Sequence, residues 1–363
     1  MPDRPPIVID DCEVDGSSAV GHFRICDEQI PIRFSDVAPE PDTAVEAFAA
    51  IGQIMGMETH QSVVCRPRLS RTYHRTMSRF QAIHVAHFPD QQASPVLGAR
   101  WPRGRPRRER PVDPATDDRR VGAFFSGGVD SLDLLVEWWD EIDDLVFVRG
   151  FDIEPDDVAR NDDVTAWVRA EAEAAGKPLL VLETDIRRLL VPRSDWTWTV
   201  YGGLIATAIL LGRTHRLVMC AASVADRHLP PEAHGHRASP FGNERSVLRI
   251  EGRIATRVEK LERVAASGLA KDSLRVCWQN VPGTINCGVC DKCTRTLVGL
   301  AAIDRLGHFS SLPDTVDLDR VAAHPAITRS DRAYLIEARD AAASTGHADV
   351  VEALDTALRV GAR

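Results

Sequence analysis

No run of apolar residues in this 363-residue chain approaches the roughly 20 that a membrane-spanning helix needs. The opening stretch, MPDRPPIVIDDCEVDG, has acids and prolines where a secretory leader would carry basic residues and then an apolar segment. Residence in the cytoplasm is therefore the expectation. Positive charge is also in short supply. The 53 acidic residues outnumber the 44 basic ones, giving a net charge of −9, which argues against nonspecific nucleic-acid binding. The eight cysteines are too few and too unevenly spaced for a disulfide framework in a chain of this length. There is no internal repeat. What remains is 44% hydrophobic and 27% charged, the balance of an ordinary folded protein with one large domain or two smaller ones.

Three regions follow along the chain. Residues 1–97 hold short strand-like stretches (Pro6 to Asp10, Gly21 to Ile25, Ile30 to Phe34) and a helix-like Ala44 to Met55. His60 to Val64 and Gln81 to Ala86 are apolar pieces of undecided type, and the region is expected to form a small α+β domain. Residues 98–120 are rich in Arg, Pro and Asp and are expected to be a linker. Six arginines between positions 100 and 110 read as a solvated run, or as an arm contacting phosphates. From Val121 on, strands (121–125, 145–151, 179–182, 217–221) alternate with helices (from Leu132, 156–175, 200–211). That alternation predicts an α/β domain over 121–320 with a parallel sheet covered on both faces. Helices over 331–343 and 348–360 complete a C-terminal segment, 321–363.

Where the first of these strands meets its helix the chain reads Ser126-Gly127-Gly128-Val129-Asp130-Ser131. A helix N-terminus has unpaired N–H groups and partial positive charge, so anions bind there. The two glycines permit a tight turn and close approach of a phosphate, while Ser126 and Ser131 offer hydroxyl donors. Asp130 could cap the helix or help hold magnesium. No G-x-x-x-x-G-K-[ST] loop occurs, so this is not a Walker motif.

Cys287, Cys290 and Cys293 form C-x-x-C-x-x-C, with Cys277 ten positions upstream. Thiolates so spaced can surround one tetrahedral ion, with Gly288 easing the turn, and four filled positions make such an ion structural. An iron–sulfur cluster would use the same ligands.

The hexapeptide matches the S-G-G-x-D-S signature at every fixed position. The chain thus resembles the PP-loop, N-type ATP pyrophosphatases, adenine nucleotide alpha hydrolase-like enzymes that cleave ATP between its α and β phosphates. Together with the later cysteines, over residues 120–300, it is most similar to the 7-cyano-7-deazaguanine synthases. These adenylate a carboxylate on a deazapurine and convert it, with ammonia, to a nitrile. The resemblance implies ATP and Mg²⁺ at Ser126–Ser131, adenine near Gly150 and Phe151, and Zn²⁺ on Cys277, Cys287, Cys290 and Cys293. It also matches Thr256-Arg257-Val258-Glu259 to the family's T-K-x-E helix start beside the phosphates. Here Arg257 stands for the usual lysine and Lys260 follows, and with Asp130 these are the expected catalytic residues. An exposed helix face is the alternative for Arg257 and Lys260.

Two departures bear on the substrate. The N-terminal region is additional to the family pattern. The loop Ala225 to Ser246 also differs, and its His228, His234 and His236 read as metal or proton-transfer groups or as surface residues. The expectation is an adenylating carbon–nitrogen ligase acting on a small-molecule or protein carboxylate with ammonia or an amine, with a homodimer left open. A thiolating enzyme using Cys220, and a non-catalytic ATP-binding subunit, are the alternatives.

Overall fold

The computed structural model describes residues 4–88, 90–97, 117–229, 239–279, 281–326 and 328–360. Most of the Arg/Pro-rich stretch therefore lies outside the described residues, as do His234 and His236. Among the described residues eleven strands form one sheet. They are β1 (Ile7–Asp15), β2 (Ser18–Ile25), β3 (Glu28–Ser35), β4 (Val63–Cys65), β5 (Val96–Leu97), β6 (Arg120–Phe124), β7 (Asp144–Arg149), β8 (Leu179–Thr184), β9 (His215–Ala221), β10 (Phe241–Gly242) and β11 (Val247–Glu251).

The spatial order is β10-β11-β9-β6-β7-β8-β3-β2-β1-β4-β5. From β8 to β11 the strands run parallel, as do β1, β4 and β5, whereas β1, β2 and β3 form an antiparallel meander that joins β8. The result is an α/β molecule with a largely parallel, mixed sheet. Strand character follows position. In β7, DLVFVR, five successive residues are buried because helices cover both faces: Val146 and Val148 enter one core, Leu145 and Phe147 the other. In β2, Ala19, Gly21 and Phe23 point inward and alternate with half-exposed residues.

One core holds α1 (Val45–Thr59) and α6 (Trp196–Leu210) against the sheet. Helix α6 is apolar on all sides, as a helix packed between a sheet and a second helix must be. Gly202 lets the α1 backbone approach, since a Cβ there would lie 3.1 Å from Ile51 Cα. Helix α2 (Arg71–His87) absorbs the undecided stretch around Gln81, and β4 takes up the end of the stretch from His60. Sheet and core both cross the sequence boundary at residues 98–120, so the first 97 residues extend the α/β layer instead of standing apart from it.

The opposite core holds α3 (Val129–Glu137), α4 (Val158–Ala174), α7 (Arg257–Ser267) and α8 (Asp291–Ala301). Short helices α5 (Arg187–Leu190) and α9 (Leu318–Ala322) precede the C-terminal pair α10 (Arg329–Thr345) and α11 (Ala348–Val360). The chain builds β6, β7 and β8 outward in one direction, then returns to lay β9 on the other side of β6. The carboxyl end of β6 is thus a topological switch point, where a crevice opens in sheets of this kind.

Candidate functional site

The Ser126–Ser131 loop occupies that switch point. Gly127 adopts φ +72°, a conformation that favours glycine, and Gly128 in extended backbone is the N-cap of α3. The Ser126 N–H donates to Ser131 Oγ (3.3 Å), and Ser131 Oγ donates to the Gly128 carbonyl (3.0 Å), which closes the turn. Gly127 O accepts from Arg275 N at 3.0 Å, and a Cβ on Gly128 would stand 3.2 Å from Arg275 O. The loop is therefore strapped to the segment leading into the cysteines.

Asp130 does not cap α3, because no side chain does. Its carboxylate faces Arg257 Nη1 at 2.6 Å and Lys260 Nζ at 3.4 Å. Burial alone would raise its pKa, but the two cations outweigh burial and hold it below the ordinary carboxylate range. Burial likewise works against the charge of Arg257, which Asp130 more than offsets. Lys260 is fully buried and also donates to the Ala222 carbonyl beyond β9, so the exposed-face alternative does not describe it. One turn further along, Arg263 grips Asp133 through two bonds of 2.7 and 2.8 Å. Helices α3 and α7 are thus joined by successive ion pairs. Thr256 and Glu259 form a capping box at the start of α7, which gives T-x-x-E a structural role there.

A cleft of about 490 Å³ lies over the loop. Ser126, Gly128, Val129, Asp130, Ser131 and Arg257 line it, and Cys277 reaches it from the cysteine cluster. Phe151 does not line the cleft. It is buried in the core, 5.9 Å from the Trp196 ring centroid and packed on Gly203, because the chain after β7 turns inward at Gly150. Residues that no motif singled out also line the cleft: Arg275, Lys292, Arg295, Asp331 and Tyr334, with Trp198 and Trp278. Lys292 and Arg295 lie within the cysteine motif itself, CDKCTRT, at i and i+3 of a helix that starts at Cys290. That spacing places them on one face and was the available signal. Trp198 rests against Phe88 of the N-terminal region, 4.3 Å between ring centroids, so residues 1–97 buttress this rim.

The four cysteine sulfurs lie within 4.8 Å of one another, with Cys277 and Cys290 3.9 Å apart and Cys287 and Cys293 4.0 Å apart. A tetrahedral ion with metal–sulfur bonds of 2.3 Å requires S–S edges of about 3.8 Å, so this group can hold a single metal ion. Gly288 at φ +75° makes the turn, and the Cys290 N–H donates to Cys287 Sγ (3.3 Å). Asn286 stitches the loop together. Its Oδ1 accepts from the N–H groups of Val276 and Cys277, while its Nδ2 donates to the carbonyls of Leu274 and Ser311.

His228 stands apart from the cleft, with Nε2 2.8 Å from the Glu337 carboxylate. Glu337 in turn accepts from the Arg257 N–H (2.7 Å). Cys220, at the end of β9, is half-buried and is not among the residues lining the cleft. Among the described residues no helix is long and apolar enough to cross a membrane. Comparisons with protein-family models, curated proteins and solved structures find no match to the chain.

Proposed function

We propose that the chain is an ATP-dependent ligase that adenylates a substrate carboxylate and releases pyrophosphate, a 7-cyano-7-deazaguanine synthase-like PP-loop enzyme. The observation that carries this reading is the Ser126–Ser131 turn opening at a switch point into a cleft whose wall bears Arg257 beside an ionised Asp130. A carboxylate oxygen attacks the α-phosphorus, the bond from that phosphorus to the β-bridging oxygen breaks, and pyrophosphate leaves. Ammonia or an amine then attacks the acyl carbon and AMP departs. The α3 N–H groups and Arg257 would stabilise the charge that builds on the leaving pyrophosphate. Magnesium would travel with the nucleotide phosphates, with Asp130 as the carboxylate within the loop.

The tight clustering of the four sulfurs supports one zinc ion over an iron–sulfur cluster, whose cysteines sit on different iron atoms and spread further. The position of Cys220 does not favour thiolation, which needs a reactive sulfur beside the nucleotide.

The test is pyrophosphate release from ATP and magnesium in the presence of a deazapurine carboxylate or other candidate carboxylates. Arg257→Ala should lower the rate about 100-fold, and Cys220→Ser should leave it unchanged. A folded, nucleotide-bound protein that releases no pyrophosphate with any of these carboxylates would overturn the reading in favour of a binding subunit.

A further inference from the structure

The cleft has more cationic wall than the loop alone accounts for. Arg257 and Asp130 face each other beside the Ser126–Ser131 turn. A second group, Arg275, Lys292 and Arg295, comes from the segment that carries the cysteines. Among the described residues four cations line the cleft against three carboxylates, Asp130, Asp152 and Asp331, in a chain whose net charge is −9. A concave positive surface on an acidic protein concentrates anions locally.

The three side chains are set for a ligand. Arg295 is held by Asp331 (3.2 Å) and sits over the Tyr334 ring (4.5 Å to its centroid), and its buried Nε has no hydrogen-bond partner among the described residues. Arg275 is buried and pairs with Asp152 at 3.6 Å. Among the described residues no carboxylate lies within ion-pair distance of Lys292. Two guanidinium groups and an ammonium thus share one wall with two carboxylates, which leaves one cation in excess there. A forked guanidinium beside a point-like ammonium suits an oxyanion, whether carboxylate or phosphate.

We propose that Arg275, Lys292 and Arg295 form a second anion seat, distinct from the Ser126–Ser131 turn, which holds a carboxylate or phosphate group of the substrate that is to be activated. This rests on the adenylation reading for the name of the ligand, but the seat itself can be tested without it. The substrate would then be at least dianionic, with one carboxylate presented to the nucleotide and a second oxyanion anchored on the cysteine side.

The experiment titrates malonate and, separately, inorganic phosphate into metal-replete protein saturated with α,β-methylene-ATP, read by calorimetry and by tryptophan fluorescence. One or both anions should bind to the nucleotide-loaded protein, and the tighter of the two tells carboxylate from phosphate. Lys292→Gln and Arg295→Gln should each weaken that anion by about tenfold or more and leave the analogue within about threefold of its wild-type affinity. Circular dichroism and metal content control for folding. Should Arg295→Gln fail to fold, Lys292→Gln, which removes no ion pair, carries the test. Anions that simply compete with the analogue, that do not bind, or that are weakened no more than the analogue would overturn the seat. If the analogue itself does not bind, the adenylation reading fails alone. The anion is then titrated without nucleotide, and the seat stands only if Lys292→Gln weakens it and Ser126→Ala does not.

Discussion

At Asp130 burial and ion pairing pull in opposite directions, and pairing prevails. Lys260, with no exposure, and Arg257 both depend on that one carboxylate. Asp130→Asn would leave two buried cations uncompensated and should cost on the order of 3 kcal/mol of stability in urea at neutral pH. A carboxyl held low in the fold contributes fully above its unfolded value of about 3.9 and loses that contribution as pH falls through the lower folded value. The acid limb should therefore be steeper in the wild type than in Asp130→Asn, where Asp10, Asp117 and Glu259 still contribute. Glu46 presents the opposite case. Fully buried, it takes hydrogen bonds from Ser70 N and Asn243 Nδ2 (2.8 Å), and burial pushes it up to about 7. Its folded form keeps a proton that the unfolded chain has lost, so stability should fall as pH rises from about 4.5 through 7, by roughly 3 kcal/mol, and level off above. Urea melts between pH 5 and 8 should show this slope in the wild type and a flatter one in Glu46→Gln.

Among elements, the cysteine loop and α8 act as a unit, since Cys290 stands at the N-cap position of the helix and Cys293 lies in its first turn. One metal ion per chain is expected by elemental analysis. Cys290→Ser or chelation should remove it and lower the melting temperature by about 10 °C or more. This unit was legible in the sequence because its chemistry is local: three cysteines within seven residues and a glycine at the turn. The strand-to-helix placement of Ser126–Ser131 was legible for the same reason. What escaped was non-local. Asp331 and Tyr334 come to the cleft from a helix more than thirty residues beyond the cysteines, and nothing in their own surroundings marks them. Phe151 follows a strand that does point toward the crevice, but its side chain turns into the core, and periodicity over so short a stretch cannot tell the two directions apart. Strand β11 lay hidden behind a loop because five residues after an irregular stretch carry little pattern.

For the whole molecule, the sheet runs without a break from β10 to β5, and β3 covers the edge that β8 would otherwise expose. Helix α1 contributes almost its entire surface to the core it shares with α6. Scanning calorimetry should accordingly give one cooperative transition for residues 1–97 and 117–363 together. A chain that starts at residue 117 should be insoluble or aggregate, as expected of a bare sheet edge beside an uncovered apolar helix. The antiparallel meander was readable as strands. Its fusion with the second region was not, because strand pairing at β3 and β8 depends on residues about 150 positions apart.

The Gly127 carbonyl and the Arg275 amide join the Ser126–Ser131 turn to the cysteine loop directly, whatever the length of chain between them. An ion held by the cysteines would fix Cys277, two residues from that amide, and its removal should loosen the brace on the turn. On the proposed reading, loss of the ion would therefore weaken the hold of the turn on a nucleotide.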